Sequence, residues 1–135
     1  MYVGEYTDCC QKVRGAGEAC VWHAWGNKDG ATFVVEKNNK IIAQSWAWRK
    51  DDLLVFDNIE SLKGHIDNPK IFELYKQAAA ALKGKLGIKH FQVGLGNNDC
   101  GQLNTLQRVK AEEMVDGPRG IYSDAKFDRV WLGGV

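Results

Sequence analysis

Two carboxylates three residues apart, Asp57 and Glu60, sit in a largely apolar run, Leu53-Leu54-Val55-Phe56-Asp57-Asn58-Ile59-Glu60. A carboxylate in a partly apolar cleft is a candidate general base, because desolvation disfavours its charged form and makes it a better proton acceptor. The plainer account is a surface carboxylate, or one bonded to the loop that follows. Under strict strand alternation the two side chains point to opposite faces. Two tyrosines are candidates for the opposite task, since a phenol donates one proton. Tyr75 falls on an apolar stripe and reads as core. Tyr122 follows Gly120-Ile121 and precedes Ser123-Asp124, a more open segment, and is the better acid.

The four cysteines are Cys9, Cys10, Cys20 and Cys100. Cys20 and His23 have the spacing of one arm of a tetrahedral zinc site, but adjacent Cys9 and Cys10 make a poor second arm. Cys100 follows the turn Asn97-Asn98-Asp99 at the start of an expected helix. A helix N-terminus lowers a thiol pKa, which makes Cys100 the most reactive of the four. The competing reading is a set of buried or simply exposed, reduced thiols. Trp46 and Trp48 share one strand face and either line a groove or fill a core against a helix. Gly94 and Gly96 leave room for another backbone or a ligand.

These residues need elements to hold them. Thr32 to Glu36 is β-rich, and Lys37-Asn38-Asn39-Lys40 reads as a tight hairpin turn, because asparagine tolerates positive φ. Ile41 to Trp48 is the return strand, with Ile41, Ala43, Ser45 and Ala47 on one face. Ile42, Gln44, Trp46 and Trp48 form the other. The small face can lie close under a helix. Arg49-Lys50-Asp51-Asp52 is a polar turn, and Leu53 to Glu60 is a third strand. Asn68-Pro69 starts a helix, with Ile71, Leu74, Tyr75, Ala78 and Leu82 on one stripe and Gly84 and Gly87 as stops. Lys89 to Gly96 is a strand, so the helix is a right-handed crossover between parallel strands. A weakly amphipathic helix is expected from Gly101 to Glu113, and a last strand from Phe127 to Leu132. The fold class is α+β with a mixed sheet: antiparallel meander, β-α-β crossover, then helix and strand. A chain of 135 residues is expected to be a single domain, 1–135, with residues 1–31 the least legible.

The bulk composition narrows the function. A formal net charge of +1 makes no field of one sign that would draw the whole protein to nucleic acid or a membrane. No apolar run is long enough to span a bilayer, and Met1-Tyr2-Val3-Gly4-Glu5 has no basic or apolar leader pattern, so a soluble cytoplasmic protein is expected.

The order of elements resembles the GCN5-related N-acetyltransferase (GNAT) fold. The matching residues are the hairpin Phe33-Val34-Val35-Glu36 and Lys40-Ile41-Ile42-Ala43-Gln44, the central strand Leu54 to Glu60, and the long helix Pro69 to Leu86. The splayed strand Phe91-Gln92-Val93-Gly94-Leu95 follows, with Asn97 at its end. The resemblance is topological and covers roughly residues 32 to 132. It implies an N-acyltransferase that uses acetyl-CoA or another acyl-CoA and acts on an amine of a small molecule or protein. It places acyl-CoA between Phe56–Glu60 and Gln92–Gly96, with its pantetheine on the backbone of Ile59 and Ser61. Its pyrophosphate falls on the loop from Lys63 and Gly64 to Asn68. It also assigns Asn97 to the cofactor site, Glu60 or Asp57 to take the amine proton, and Tyr122 to protonate the leaving thiolate. The family's Arg/Gln-x-x-Gly-x-Gly/Ala phosphate run is represented by Ser61-Leu62-Lys63-Gly64-His65-Ile66-Asp67-Asn68, which holds one glycine. That difference supports an alternative, a GNAT-shaped binding module that acts through a protein or nucleic-acid partner.

Overall fold

The computed structural model describes residues 23–61, 68–96, 100–121, 123 and 125–134. Its sheet is built from β1 (Gly30–Lys37), β2 (Lys40–Lys50), β3 (Leu53–Phe56), β4 (Glu60–Ser61), β5 (His90–Gly94) and β6 (Arg129–Gly133). The strand order is β1-β2-β3-β5-β6, with β4 pairing β2. The helix α1 (Asn68–Leu82) joins the meander to β5. β3 and β5 are parallel, while the other named pairs are antiparallel. The expected crossover is therefore present, and the mixed sheet with it.

Local chemistry explains the turns. Asn38 and Asn39 take φ of 52° and 64°, both left-handed, which is what a two-residue hairpin turn with the twist of its strands requires. Gly84 at φ 81° ends the helix region, where a residue with a Cβ is strained.

The sheet carries a core on each face. On the α1 side, Ile71, Tyr75 and Ala79 pack on Ala43, Ala47, Phe56, Phe91, Val93 and Val130. The small alternate residues of β2 let α1 approach, as the sequence suggests. Phe33, Phe56 and Tyr75 form a ring cluster there, with centroids 4.6 to 5.5 Å apart. Edge-to-face and tilted packing of this kind adds to simple burial. Ile42 joins the same core, against the expected alternation. The cause is a register shift: Val35 pairs with Ala43 but Glu36 pairs with Ile41, which leaves Ile42 outside the β1 ladder.

On the other face Trp46 and Trp48 pack with Leu53, Val55 and Ala125, and with the half-buried Val115 and Ile121. Each indole is only 1% exposed. Burying an aromatic of this size removes about 200 Å2 from water, worth on the order of 5 kcal/mol before entropy. The two indoles are core, as one of the two readings had it, and their described cover is the helical turn at residues 23–26, through His23 and Ala24, together with Val115, Ile121 and Ala125.

The expected helix from Gly101 to Glu113 does not form. Short 3-10 turns at Gly101–Thr105 and Ala111–Glu113 flank an extended stretch. That stretch edges β6: Val109 N–H donates to Arg129 O at 2.9 Å and Trp131 N–H to Gln107 O at 2.9 Å. Edge pairing satisfies backbone groups that a weak apolar stripe could not bury.

Candidate functional site

The site is set by one extra residue. β2 pairs β3 up to Ala47↔Phe56, then pairs β4 from Gln44↔Glu60. Ser45 and Trp46 thus oppose three residues, Asp57, Asn58 and Ile59, which is a β-bulge. Asp57 N–H still reaches Trp46 O at 2.8 Å. Phe56 and Ile59 both enter the core under α1, so the alternation slips by one. Asp57 and Glu60, expected on opposite faces, lie on the same face, away from α1. Strict alternation holds only while the ladder is regular, and the bulge breaks it.

The bulge is pinned from both sides. The Ser45 hydroxyl donates to the Asn58 carbonyl. Tyr75 OH lies 2.6 Å from Ser45 Oγ, and with the serine proton committed to Asn58 the phenol is the donor. Burial pushes the Tyr75 hydroxyl well above the ordinary tyrosine range, partly offset by Ser45. Tyr75 is thus a buried structural donor, as its place on the stripe suggests.

On the other side, Glu60 is half-buried and has an amide donor on each carboxylate oxygen. Gln44 Nε2 donates to Oε2 at 3.0 Å and Asn58 Nδ2 to Oε1 at 3.1 Å. Asn58 Nδ2 also lies 3.4 Å from Gly96 O, so its side chain bridges from the bulge to the chain leaving β5. Asp57 is 1% exposed. It accepts from the Ser123 hydroxyl and from Ala125 N at 3.4 Å. Its carboxylate anchors the loop before β6 to the end of β3.

The parallel β3·β5 ladder runs from Leu53↔His90 to Phe56↔Val93 and stops there. β4 turns to β2, so the ladder forks just beyond Phe56, at the bulge, and the contacts that continue are Asp57 O on Gly94 and the Asn58 side chain on Gly96. Gly94 sits at the fork. A Cβ there would lie 1.9 Å from Asp57 O and 2.7 Å from Ala125, so backbone, rather than a ligand, takes the space this glycine leaves. Ile59 and Ser61 are buried beside the fork. Lys63, Gly64, Asn97 and Tyr122 lie outside the described residues.

Sequence reasoning missed Arg129, a buried cation on the same face. Nε donates to Ala125 O at 2.8 Å, Nη1 to Gln92 Oε1 at 3.1 Å and Nη2 to Val115 O at 2.6 Å. Its guanidinium carbon stacks 5.0 Å from the Trp48 ring. Burial lowers its pKa, while Asp57 and Asp116 act the other way. The missing signal was packing from outside the strand: an arginine opening a strand reads as exposed until Val115 O and Ala125 O close on it. His23 closes the face. Trp46 Nε1 donates to His23 Nδ1 at 3.0 Å, which fixes the proton of a neutral ring on Nε2. Burial lowers the His23 pKa, and Asp29 raises it.

Two chemical expectations change. Cys100 does not begin a full helix but a five-residue 3-10 turn, and it is fully buried. Burial raises its pKa, so it is a packed thiol rather than an activated one. For zinc, Cys9, Cys10 and Cys20 lie outside the described residues. Among the described residues no group of three His, Cys, Asp or Glu is placed to hold a metal, and no helix is long and apolar enough to cross a membrane.

No protein-family model matches the chain, and no curated protein matches it in sequence. Solved structures do match. A Bacillus subtilis acetyltransferase in complex with CoA aligns over 96% of this chain and 91% of its own, at 13% identity and TM-score 0.60. Tetrahymena GCN5 aligns over 99% and 84%, at 9% identity and TM-score 0.58. A GNAT family acetyltransferase from Elizabethkingia anophelis with acetyl-CoA bound aligns over 84% and 79%, at 16% identity and TM-score 0.50. The meander, the crossover helix and the fork between β4 and β5 together give this chain the fold of the GCN5-related N-acetyltransferases.

Proposed function

We propose that this protein is an acyl-CoA-dependent N-acyltransferase acting on an amine. The observation that carries the reading is the fork. A parallel ladder that stops at Phe56↔Val93 beside a bulge lets a pantetheine arm run between two backbones. Ile59 and Ser61 would hold that arm on one side, with Asn97 at the other strand's end and Lys63 and Gly64 towards the phosphates. The solved structures with CoA and acetyl-CoA bound support the cofactor class. Bound there, acyl-CoA supplies an activated thioester.

The chain's own residues do the rest. Glu60 takes a proton from the amine nitrogen, directly or through water, as it stands at the fork and is half-buried. Gln44 and Asn58 orient its two oxygens. Asp57 holds the neighbouring loop through Ser123 and is the second carboxylate of the same face. Tyr122 is the candidate to return a proton to the departing sulfur. A binding module that works through a macromolecular partner is the second reading, supported by the single glycine in Ser61–Asn68.

Calorimetry with acetyl-CoA separates the two. Micromolar binding that a Gly64→Glu variant abolishes supports the acyltransferase. No heat up to millimolar acetyl-CoA rejects it, and pull-downs for a macromolecular partner become the next step.

A further inference from the structure

The face away from α1 carries two cavities that share one wall. One, of about 510 Å3, is bounded by His23, Trp48, Lys50, Arg119 and Ile121. The other, of about 320 Å3, reaches Ser123, Lys126 and Arg129. Asp116 to Arg119 and Ile121 line both. Ser123 in turn donates to Asp57 at the bulge, so the second cavity ends beside the fork.

The walls are unbalanced in charge. Asp29 is matched by Arg49 at 3.1 Å. Among the described lining residues that leaves Lys50, Arg119, Lys126 and Arg129 against Asp116. Arg129 is 2% exposed, and its three hydrogen bonds all go to neutral oxygens. A guanidinium has five N–H donors, so two remain. A buried guanidinium without a carboxylate in direct contact is rare, because its charge has lost water, and Asp57 and Asp116 favour that charge without pairing with it. Trp48 adds an independent sign. Its Nε1 is buried without a hydrogen-bond partner, although indole N–H groups normally find one when buried. The ring edge that bears this nitrogen lies against Gly117, with Cε2 3.6 Å from where a Cβ would stand. The Asp116–Ile121 wall therefore covers two sets of unused donors, the spare guanidinium N–H groups of Arg129 and the indole N–H of Trp48.

We infer that this double cavity binds a small carboxylate-bearing molecule with an apolar body, its carboxylate meeting Arg129 and Trp48. Trp48, Pro118 and Ile121 supply the apolar contact. Planar geometry suits a carboxylate to the spare guanidinium N–H groups. A dianionic phosphate suits the cavity less, since Asp116 lines it and Asp57 stands behind Arg129. On the acyltransferase reading, and resting on it, this site takes the acceptor and makes it an amine that also carries a carboxylate.

The test uses the full chain, labelled with nitrogen-15, and three probes: phenylacetate, its uncharged isostere phenylacetamide, and inorganic phosphate. The Trp48 indole resonance, assigned with Trp48→Phe, reports the site directly. Phenylacetate is expected to move it saturably, with phenylacetamide at least about tenfold weaker, as loss of one charged hydrogen bond implies. Arg119→Gln, an exposed change on the rim, is expected to weaken phenylacetate about threefold. An unmoved indole resonance, an equal response to phenylacetamide, or a stronger response to phosphate overturns the inference. None of the probes contains an amine or a thioester, so the result is independent of whether acetyl-CoA binds.

Discussion

The Tyr75 hydroxyl, at the centre of the buried stripe of α1, meets the Ser45 hydroxyl of β2 at 2.6 Å. Through this contact the crossover helix holds the bulge, because Ser45 passes its own proton to the Asn58 carbonyl. Ser45→Ala removes both bonds at a buried site and is expected to cost about 1–3 kcal/mol. Tyr75→Phe removes one and is expected to cost about 1 kcal/mol. Urea unfolding midpoints measure both. The double variant should cost less than the sum, since the two changes share a bond. Additive losses would mean that the chain of hydroxyls is not cooperative.

Glu60→Gln tests the proposed base. The amide keeps the shape but cannot take a proton. Turnover with acetyl-CoA and an accepted amine is expected to fall about 100-fold or more, with acetyl-CoA affinity little changed. A variant that loses affinity and keeps turnover would move Glu60 from chemistry to binding. Asp57→Asn is expected to act mainly on stability, because Asp57 is buried and anchors Ser123 and Ala125.

Gly94→Ala should unfold or strongly destabilise the protein, by about 3 kcal/mol, since the new methyl would meet Asp57 O and Ala125. Gly101→Ala is the control, as nothing lies within 4 Å of its Cβ position. Thermal melts of the two variants should differ sharply. A Gly94→Ala protein that melts like the parent would refute the close approach at the fork.

His23 makes the structure sensitive to acid. Its folded pKa lies below the ordinary 6.5, so below pH 6.5 the unfolded chain binds the proton more readily. Stability contributed by the neutral ring is therefore complete above that pH, and it is lost as pH falls towards the folded pKa. Protonation also removes the acceptor that Trp46 Nε1 uses. Melting temperature should drop between about pH 7.5 and 5.5, and His23→Gln should flatten that drop. An unchanged slope in the variant would assign the acid sensitivity elsewhere.

Cys100 should resist alkylation in the folded protein. It is fully buried, and burial raises its pKa. Iodoacetamide labelling followed by peptide mass spectrometry should find the Cys100 peptide unmodified until denaturant is added. Rapid native labelling would show that the segment opens.

Much of this was legible in the residues themselves. The Asn38-Asn39 turn, the start of α1 at Asn68-Pro69 and the glycine stop at Gly84 are local choices, set by φ preferences and missing N–H groups. The parallel pairing of β3 and β5 also followed, because a helix between two strands of one sheet spans the length a parallel connection needs. Contacts between residues far apart in the chain decided the rest. The bulge at Asp57 and Asn58 has no local signature; it exists because β4 pairs with β2 while β3 pairs with β5, and one residue must be absorbed between the two registers. That slip carried Asp57 to the face of Glu60. The segment from Gly101 to Glu113 has residues that a helix would accept, but the open edge of β6 offered its backbone better partners. Arg129 and Trp48 became buried neighbours only when Val115, Gly117, Ile121 and Ala125 packed around them. Alternation and helical period report a residue's own backbone; which face is covered, and by what, depends on packing between elements that no short stretch encodes.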